Sequence, residues 1–258
     1  MQGVRFIAVG DVMVDVVAEG SGHDASVRLR PGGSAPNAAV WAASLGALAT
    51  VVGRVGDDAA GRLIRTELEA RGVRAKLSVD RTAPTGTFVH AGGEILADRG
   101  ANATLAPEHL PVLEADAVLV SGYLPRPALE AALRSSRARR VALDAARLDR
   151  VPPGGTVLIA NEATARALGL DPDDAATLRA DGYELVVVTR GAAGAVAAFG
   201  ESIARATPPR RSEGDPLGAG DAFAAALLVG LARGAEPQPA LVEACTVAAG
   251  AADGAWPA

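Results

Sequence analysis

The residues best suited to chemistry are Gly218-Ala219-Gly220-Asp221, opening an Ala-rich stretch that runs to Arg233. Gly218, Ala219 and Gly220 carry almost no side chain. Their backbone N–H groups can converge at the positive end of a helix and hold an anion. Asp221 follows in the first turn. A carboxylate beside an anion hole is electrostatically awkward unless the chemistry needs both. Phosphoryl transfer does: a base takes a hydroxyl proton while amides stabilise charge on the group in flight. The same run also describes a Gly-rich helix start whose aspartate favours the dipole, and spacing alone does not separate the two.

A second segment, Gly32-Gly33-Ser34-Ala35-Pro36-Asn37, leads into a stretch ending Ser44-Leu45-Gly46. The double glycine allows a hinge and close backbone approach. Asn37 can hydrogen-bond a substrate hydroxyl, or it can be a plain helix cap.

The framework that must position these residues is a βαβα alternation. Apolar runs predict strands over 5–9, 50–53, 117–121, 141–143, 156–160, 185–189 and 195–199. Amphipathic or Ala/Leu-rich stretches predict helices over 36–45, 58–71, 126–135, 162–168, 173–181, 219–233 and 239–251. Unbroken apolar strands in this rhythm imply a mostly parallel sheet covered on both faces, an αβα sandwich in one domain over 1–258. Two stretches interrupt it. Residues 16–31 are polar and Gly-rich, and residues 73–98 hold three extended pieces joined by turns. Paired together they predict a small, reduced β lid that covers a substrate site and excludes water.

Composition narrows the partners. The 258 residues carry a net charge of −5 and no Lys/Arg-rich run that would mark a nucleic-acid face. The four arginines between Arg134 and Arg140 read as a solvated helix end. No stretch reaches the roughly 20 apolar residues that span a bilayer, and no signal peptide opens the chain, so a cytoplasmic protein without a membrane partner is expected. One cysteine, Cys245, excludes a disulfide framework and reads as core. The histidines His23, His90 and His109 are scattered and show no metal spacing. Lys76, the only lysine, follows Ala75, so no P-loop exists. Protein-kinase His-Arg-Asp and a dinucleotide G-x-G-x-x-G after the first strand are also absent.

Together, the two glycine-rich segments resemble the paired signatures of the PfkB carbohydrate kinases of the ribokinase-like superfamily. The first looks like Gly32-Gly33…Asn37-x-Ala39 with Leu45-Gly46 after it, the second like Gly218-Ala219-Gly220-Asp221-x-Phe223 preceded by Asp215. Gly10-Asp11-Val12-Met13-Val14-Asp15, Val55-Gly56-Asp57-Asp58 and Thr189-Arg190-Gly191-Ala192-Ala193-Gly194 match at the expected places, as does Gly254-Ala255.

That resemblance implies a ribokinase-like fold, ATP and Mg2+ as cofactors, and a sugar or sugar acid as acceptor. Asp221 would be the general base, with the amides of Gly218, Ala219 and Gly220 as anion hole. Asp15, Gly32, Gly33 and Asn37 would bind sugar hydroxyls. Asn161, Thr189, Gly191 and Gly194 would line the ATP phosphates. Asp215 matches a carboxylate that helps hold K+ in potassium-activated members, and the lid forms a homodimer interface in several. The chain departs from the family where Thr164 replaces a glutamate three residues after Asn161, where Leu217 replaces a frequent threonine, and in its short length. A nucleoside kinase and a non-catalytic sugar or nucleotide sensor are the alternatives. Three further residues have two readings each. Arg99 meets an acidic or phosphorylated substrate, or forms a surface salt bridge. Asp144 lies near the phosphate channel, or starts a turn. Tyr123 stacks on substrate, or packs.

Overall fold

The computed structural model describes residues 3–20, 22–91, 94–210, 217–255 and 257. In chain order the strands are β1 (Arg5–Val9), β2 (Met13–Glu19), β3 (Ser26–Gly32), β4 (Leu48–Gly56), β5 (Arg74–Asp80), β6 (Gly86–Ala91), β7 (Glu94–Asp98), β8 (Ala117–Ser121), β9 (Arg140–Asp144), β10 (Val157–Asn161), β11 (Leu185–Thr189), β12 (Ala195–Phe199) and β13 (Ser202–Ala206). The helices are α1 (Ser34–Ser44), α2 (Ala59–Ala70), α3 (Arg126–Ser135), α4 (Glu162–Ala167), α5 (Ala219–Ala232) and α6 (Pro237–Ala252).

Nine strands form one sheet in the order β13-β12-β11-β10-β9-β8-β1-β4-β5. Pairings from β11 through to β5 are parallel, and β12 and β13 close one edge antiparallel. The apolar runs have the length and composition that a doubly covered sheet demands. Phe6 and Ala8 join one core with α1, α5 and α6, whereas Ile7 and Val9 join the other with α3. Period-2 alternation thus sends neighbouring residues into opposite cores. Helix α5 is buried on every side from Ala222 to Leu231, as expected of a helix apolar all round and trapped between sheet, α1 and α6.

The second sheet has four strands in the order β3-β2-β6-β7, two antiparallel hairpin-like pairs joined by a parallel β2–β6 pairing. Its register aligns Arg30, Asp15, Phe88 and Ala97 in one row across all four strands. Leu29, Val16, Val89 and Leu96 form the row on the opposite face, with Leu29 and Leu96 largely exposed.

Three expectations need correction. The piece over 73–80 belongs to the large sheet, because β4, α2 and β5 make a parallel crossover unit whose strand pairs on the free edge of β4. The helix expected over 173–181 is a series of turns. Asp171 Oδ1 accepts from the Asp173 amide and Asp174 Oδ1 from the Ala176 amide, so local side-chain bonds outcompete the helical ladder. Strand β4 runs past residue 53 because Arg54 is satisfied there by Asp80 at 3.0 Å.

Candidate active site

Five parallel strands end at one cavity of about 570 Å3. Asp11 lies two residues beyond β1 and Tyr123 two beyond β8, while Asp144, Asn161 and Thr189 close β9, β10 and β11, and all five line it. Chain order reverses between β1 and β8, and in open parallel sheets a crevice opens at such a point beyond the carboxyl ends of the strands.

Helix α5 supplies the floor. Gly218 caps it in the left-handed region (φ 81°), and Gly218, Gly220 and Asp221 face the cavity. A Cβ placed on Gly220 would meet nothing within 4 Å, so the helix terminus opens on free space large enough for a phosphate. Helix α1 supplies the wall beside it. Asn37 Nδ2 donates to Asp221 Oδ2 at 2.9 Å. Asn37 Oδ1 and Ser34 Oγ are buried without a hydrogen-bond partner among the described residues, and both side chains belong to residues that line the cavity. Buried polar atoms rarely stay single, so these suit the hydroxyls of a bound polyol.

The small sheet roofs the opposite side through Arg30, Asp15, Phe88 and Ala97, with Ile95 and Met13 beside them. Asp15 is only 5% exposed and pairs with Arg30 at 3.5 Å. Its carboxylate rests on Gly32, where a Cβ would lie 1.8 Å from Oδ1. Gly33 takes φ 88° and passes so close to Asp11 that a Cβ would sit 2.3 Å from its carbonyl oxygen. The double glycine is therefore required by close approach as much as by the turn. Asp11 accepts from Arg99 Nη2 at 3.1 Å, and the same nitrogen donates to the Tyr123 carbonyl. Asn102, only 1% exposed, donates to the carbonyls of Val12 and Arg99 and accepts from the Val12 amide. It pins the Arg99 turn to the β1–β2 connection.

Burial and mutual repulsion set the charge state. Asp221 is pushed up to about 8, chiefly by burial; Asn37 opposes the shift, and Asp144 and Asp15 add to it. Burial pushes Asp144 up to about 6 against the Ala146 amide, and Asp15 to about 6 against Arg30. Asp11 is also raised by burial, with Arg99 and Arg147 opposing. A carboxyl near 8 exchanges its proton close to neutral pH, the range in which perturbed groups of functional sites lie.

A pfkB family carbohydrate kinase model matches residues 5–253. The chain belongs to that family. Members of the pfkB family are phosphotransferases, and the solved structures most similar to this chain have the same fold. A ribokinase from Thermotoga maritima superposes with a TM-score of 0.82 at 21% identity, over 97% of this chain and 93% of that one. The adenosine kinase of Sinorhizobium meliloti gives 0.79 at 22%, over 96% and 93%. A ribokinase from Arabidopsis thaliana, complexed with ribose and ATP, gives 0.73 at 23%, over 96% and 92%. No curated protein sequence matches.

Of the residues expected from the sequence, this pfkB family chain gathers Asp15, Gly33, Asn37, Arg99, Asn161, Thr189, Gly218, Gly220 and Asp221 around the cavity. Gly32 and Ala219 stand behind it, the first under Asp15 and the second in the α5 first turn. Gly191 and Gly194 do not line it. They shape the β11–β12 turn, where a Cβ on Gly194 would lie 2.0 Å from the Ala206 carbonyl oxygen. Asp215 falls outside the described residues. Arg99 lines the cavity and forms an ion pair with the buried Asp11. Asn161 also caps α4, accepting the Thr164 amide at 2.8 Å. Sequence reasoning missed Ser34, Arg30 and Arg147 as wall residues and Asn102 as a clamp. Ser34 stood within a quoted motif, but a lone arginine in a turn gives no periodic signal.

Among the described residues no group of three His, Cys, Asp or Glu could cage a metal ion. No helix among them is long and apolar enough to cross a membrane.

Proposed function

We propose that this chain transfers the γ-phosphoryl group of ATP to a hydroxyl of a sugar or sugar acid, with Asp221 as general base. One observation carries the reading: the Asp221 carboxyl stands in the first turn of α5 beside Gly218 and Gly220, facing a cavity that joins the ends of β10 and β11 to the Asp15–Arg30 face of the small sheet. Asn161 and Thr189 would take the nucleotide phosphates. Asp15, Asn37 and Ser34 would orient the acceptor hydroxyls. Asp221 receives the hydroxyl proton as the oxygen attacks, and the α5 amides stabilise charge on the transferring group. Mg2+ bound with the nucleotide would neutralise phosphate charge in this scheme. The small sheet acts as a lid over residues 13–32 and 86–98, and keeping water out limits idle ATP hydrolysis. A homodimer would use its outward row, Leu29, Val16, Val89 and Leu96, and sedimentation of wild type against Leu29→Glu tests this.

A nucleoside kinase is the second reading. Met13, Phe88, Ile95 and Ala97 give the roof more apolar surface than Phe88 alone, enough to cover a base. The deciding experiment is ATP turnover with a panel of sugars, sugar acids and nucleosides. Turnover of nucleosides alone would replace the sugar reading, and no ATP consumption with any acceptor would end both.

A further inference from the structure

Three arginines reach the cavity wall: Arg30, Arg99 and Arg147. Arg30 is engaged by Asp15 and Arg99 by Asp11. Arg147 forms no ion pair among the described residues. Instead its guanidinium stands over the Tyr123 ring, 5.7 Å from the centroid. Its backbone is stranger still. Arg147 has φ 62°, and among the described residues it is the single non-glycine residue with positive φ. A side chain in that region is strained, and such strain persists where the surrounding structure demands it, most often at ligand sites. Glycine would make the same turn without strain. Here the turn after β9 instead holds a large cation at the cavity.

Position tells which end of the cavity this cation serves. Arg99 Nη2 donates to the Tyr123 carbonyl while Arg147 covers the Tyr123 ring, so two guanidinium groups flank one tyrosine. The charge of Arg147 pulls on Asp11 and Tyr123. The groups that act on Asp221 are Asn37, Asp144 and Asp15 instead. Arg147 therefore stands at the Tyr123 end of the wall, where Asp144 and Asp221 also act on the tyrosine. Arg99 Nε is buried with no hydrogen-bond partner, so a donor remains beside it. Asp11 answers Arg99 and Asp15 answers Arg30, which leaves Arg147 as the wall cation without an ion pair among the described residues. A planar or tetrahedral oxyanion would engage both forks.

Resting on the kinase reading above, we propose that the acceptor carries an anionic group, a carboxylate or a phosphate ester, which Arg147 and Arg99 hold at the Tyr123 end of the cavity.

The test compares matched triplets of acceptors: a neutral sugar, the corresponding sugar acid and the corresponding sugar phosphate. ATP consumption is followed with wild type, Arg147→Met and Arg147→Lys, after circular dichroism and melting establish that each variant is folded. Wild type should favour one anionic member over its neutral counterpart by about 100-fold or more in kcat/KM, and the acid and phosphate arms name the source of the charge. Arg147→Met should raise KM for that anion on the order of 10- to 100-fold, as expected for a lost charged hydrogen bond. KM for ATP should hold, and Arg147→Lys should recover part of the loss. Equal or better use of neutral sugars overturns the proposal. So does an Arg147→Met variant that keeps the anion preference, or one that raises KM for ATP instead. If nothing is turned over, calorimetric titration of the same triplets decides. Anion binding that Arg147→Met abolishes upholds the anionic site and ends the kinase reading, whereas binding without charge preference ends the anionic site.

Discussion

Asn37 Nδ2 donates to Asp221 Oδ2 across 2.9 Å, joining residues 184 positions apart in the chain. The bond ties the two glycine-rich segments into one site, because α1 and α5 begin side by side at the same cavity. It also sets chemistry. Burial, Asp144 and Asp15 all favour the protonated form of Asp221, and the Asn37 amide is the group that opposes them. With Oδ1 still unpartnered, the same amide can accept from the substrate hydroxyl while steadying the base. One side chain would thus address both members of the proposed proton transfer.

Asp221→Asn should lower kcat by roughly 100- to 10,000-fold, the usual contribution of a positioned base, with ATP and acceptor binding retained. Titration calorimetry beside single-turnover measurements separates the two quantities. A wild type that binds both ligands with no turnover would be a sensor, and unchanged turnover in the variant would remove Asp221 from the chemistry.

The same substitution should stabilise the protein at alkaline pH. Asp221 has a folded pKa of about 8 against an ordinary value of 3.8. Its contribution to stability is therefore whole below pH 3.8 and is lost as pH rises through about 8, since the folded state holds the proton that the unfolded chain releases. Asparagine removes that loss. At pH 9 the variant should melt several degrees above wild type, a gain of about 1 kcal/mol being worth about 2–4 °C at this size. At pH 4 the gap should close. A constant difference across pH would show that the burial of charge is not its cause.

The pH profile of kcat/KM in the free enzyme should show an acidic limb near 8, with activity rising as Asp221 deprotonates. Asn37→Ala deletes the hydrogen bond that lowers this pKa, so its limb should move to higher pH while kcat/KM falls about 10-fold or more. A limb that stays in place would mean that Asn37 does not act on the base.

Most of the large sheet was legible because a doubly covered strand is a plain apolar run, as at Arg5–Val9 and Leu185–Thr189. The helix expected over 173–181 failed because Asp171 and Asp174 bond locally, a competition that hydrophobic spacing does not report. In the site, Asp221 and Asn37 were visible through their glycine-rich surroundings. Arg147 and Asn102 were not, because each acts through a fold that brings distant segments together. Asn102 reaches Val12 across 90 positions. Gly194 lies in the β11–β12 turn and not in the cavity lining, and sequence does not separate the two places because a positive-φ turn and a phosphate loop call for the same residue type.

Asn102→Ala should cost about 2–3 kcal/mol, since it strips both the amide and the carbonyl of Val12 of their partner in a buried position. Urea unfolding should show a lower midpoint at unchanged slope. The clamp also fixes the Arg99 turn, so KM for the acceptor should rise while KM for ATP holds. A stable variant with ordinary acceptor affinity would show that the Arg99 turn holds without it.

Gly32→Ala tests the acceptor side by sterics alone. Gly32 is not among the positive-φ glycines, so alanine brings no backbone strain of its own. Its methyl, however, would fall where Asp15 Oδ1 now lies. The carboxylate must swing away from Arg30 or the β3–α1 junction must shift, and overpacking of this kind costs about 1–3 kcal/mol. Acceptor KM should rise about 10-fold or more. ATP affinity, which the proposed function assigns to Asn161 and Thr189 at the ends of β10 and β11, should stay within about twofold, because the atoms nearest Gly32 belong to Asp15. If both affinities fell together, the damage would lie in the fold and not in the placement of Asp15; if neither moved, Asp15 would have no part in holding the acceptor.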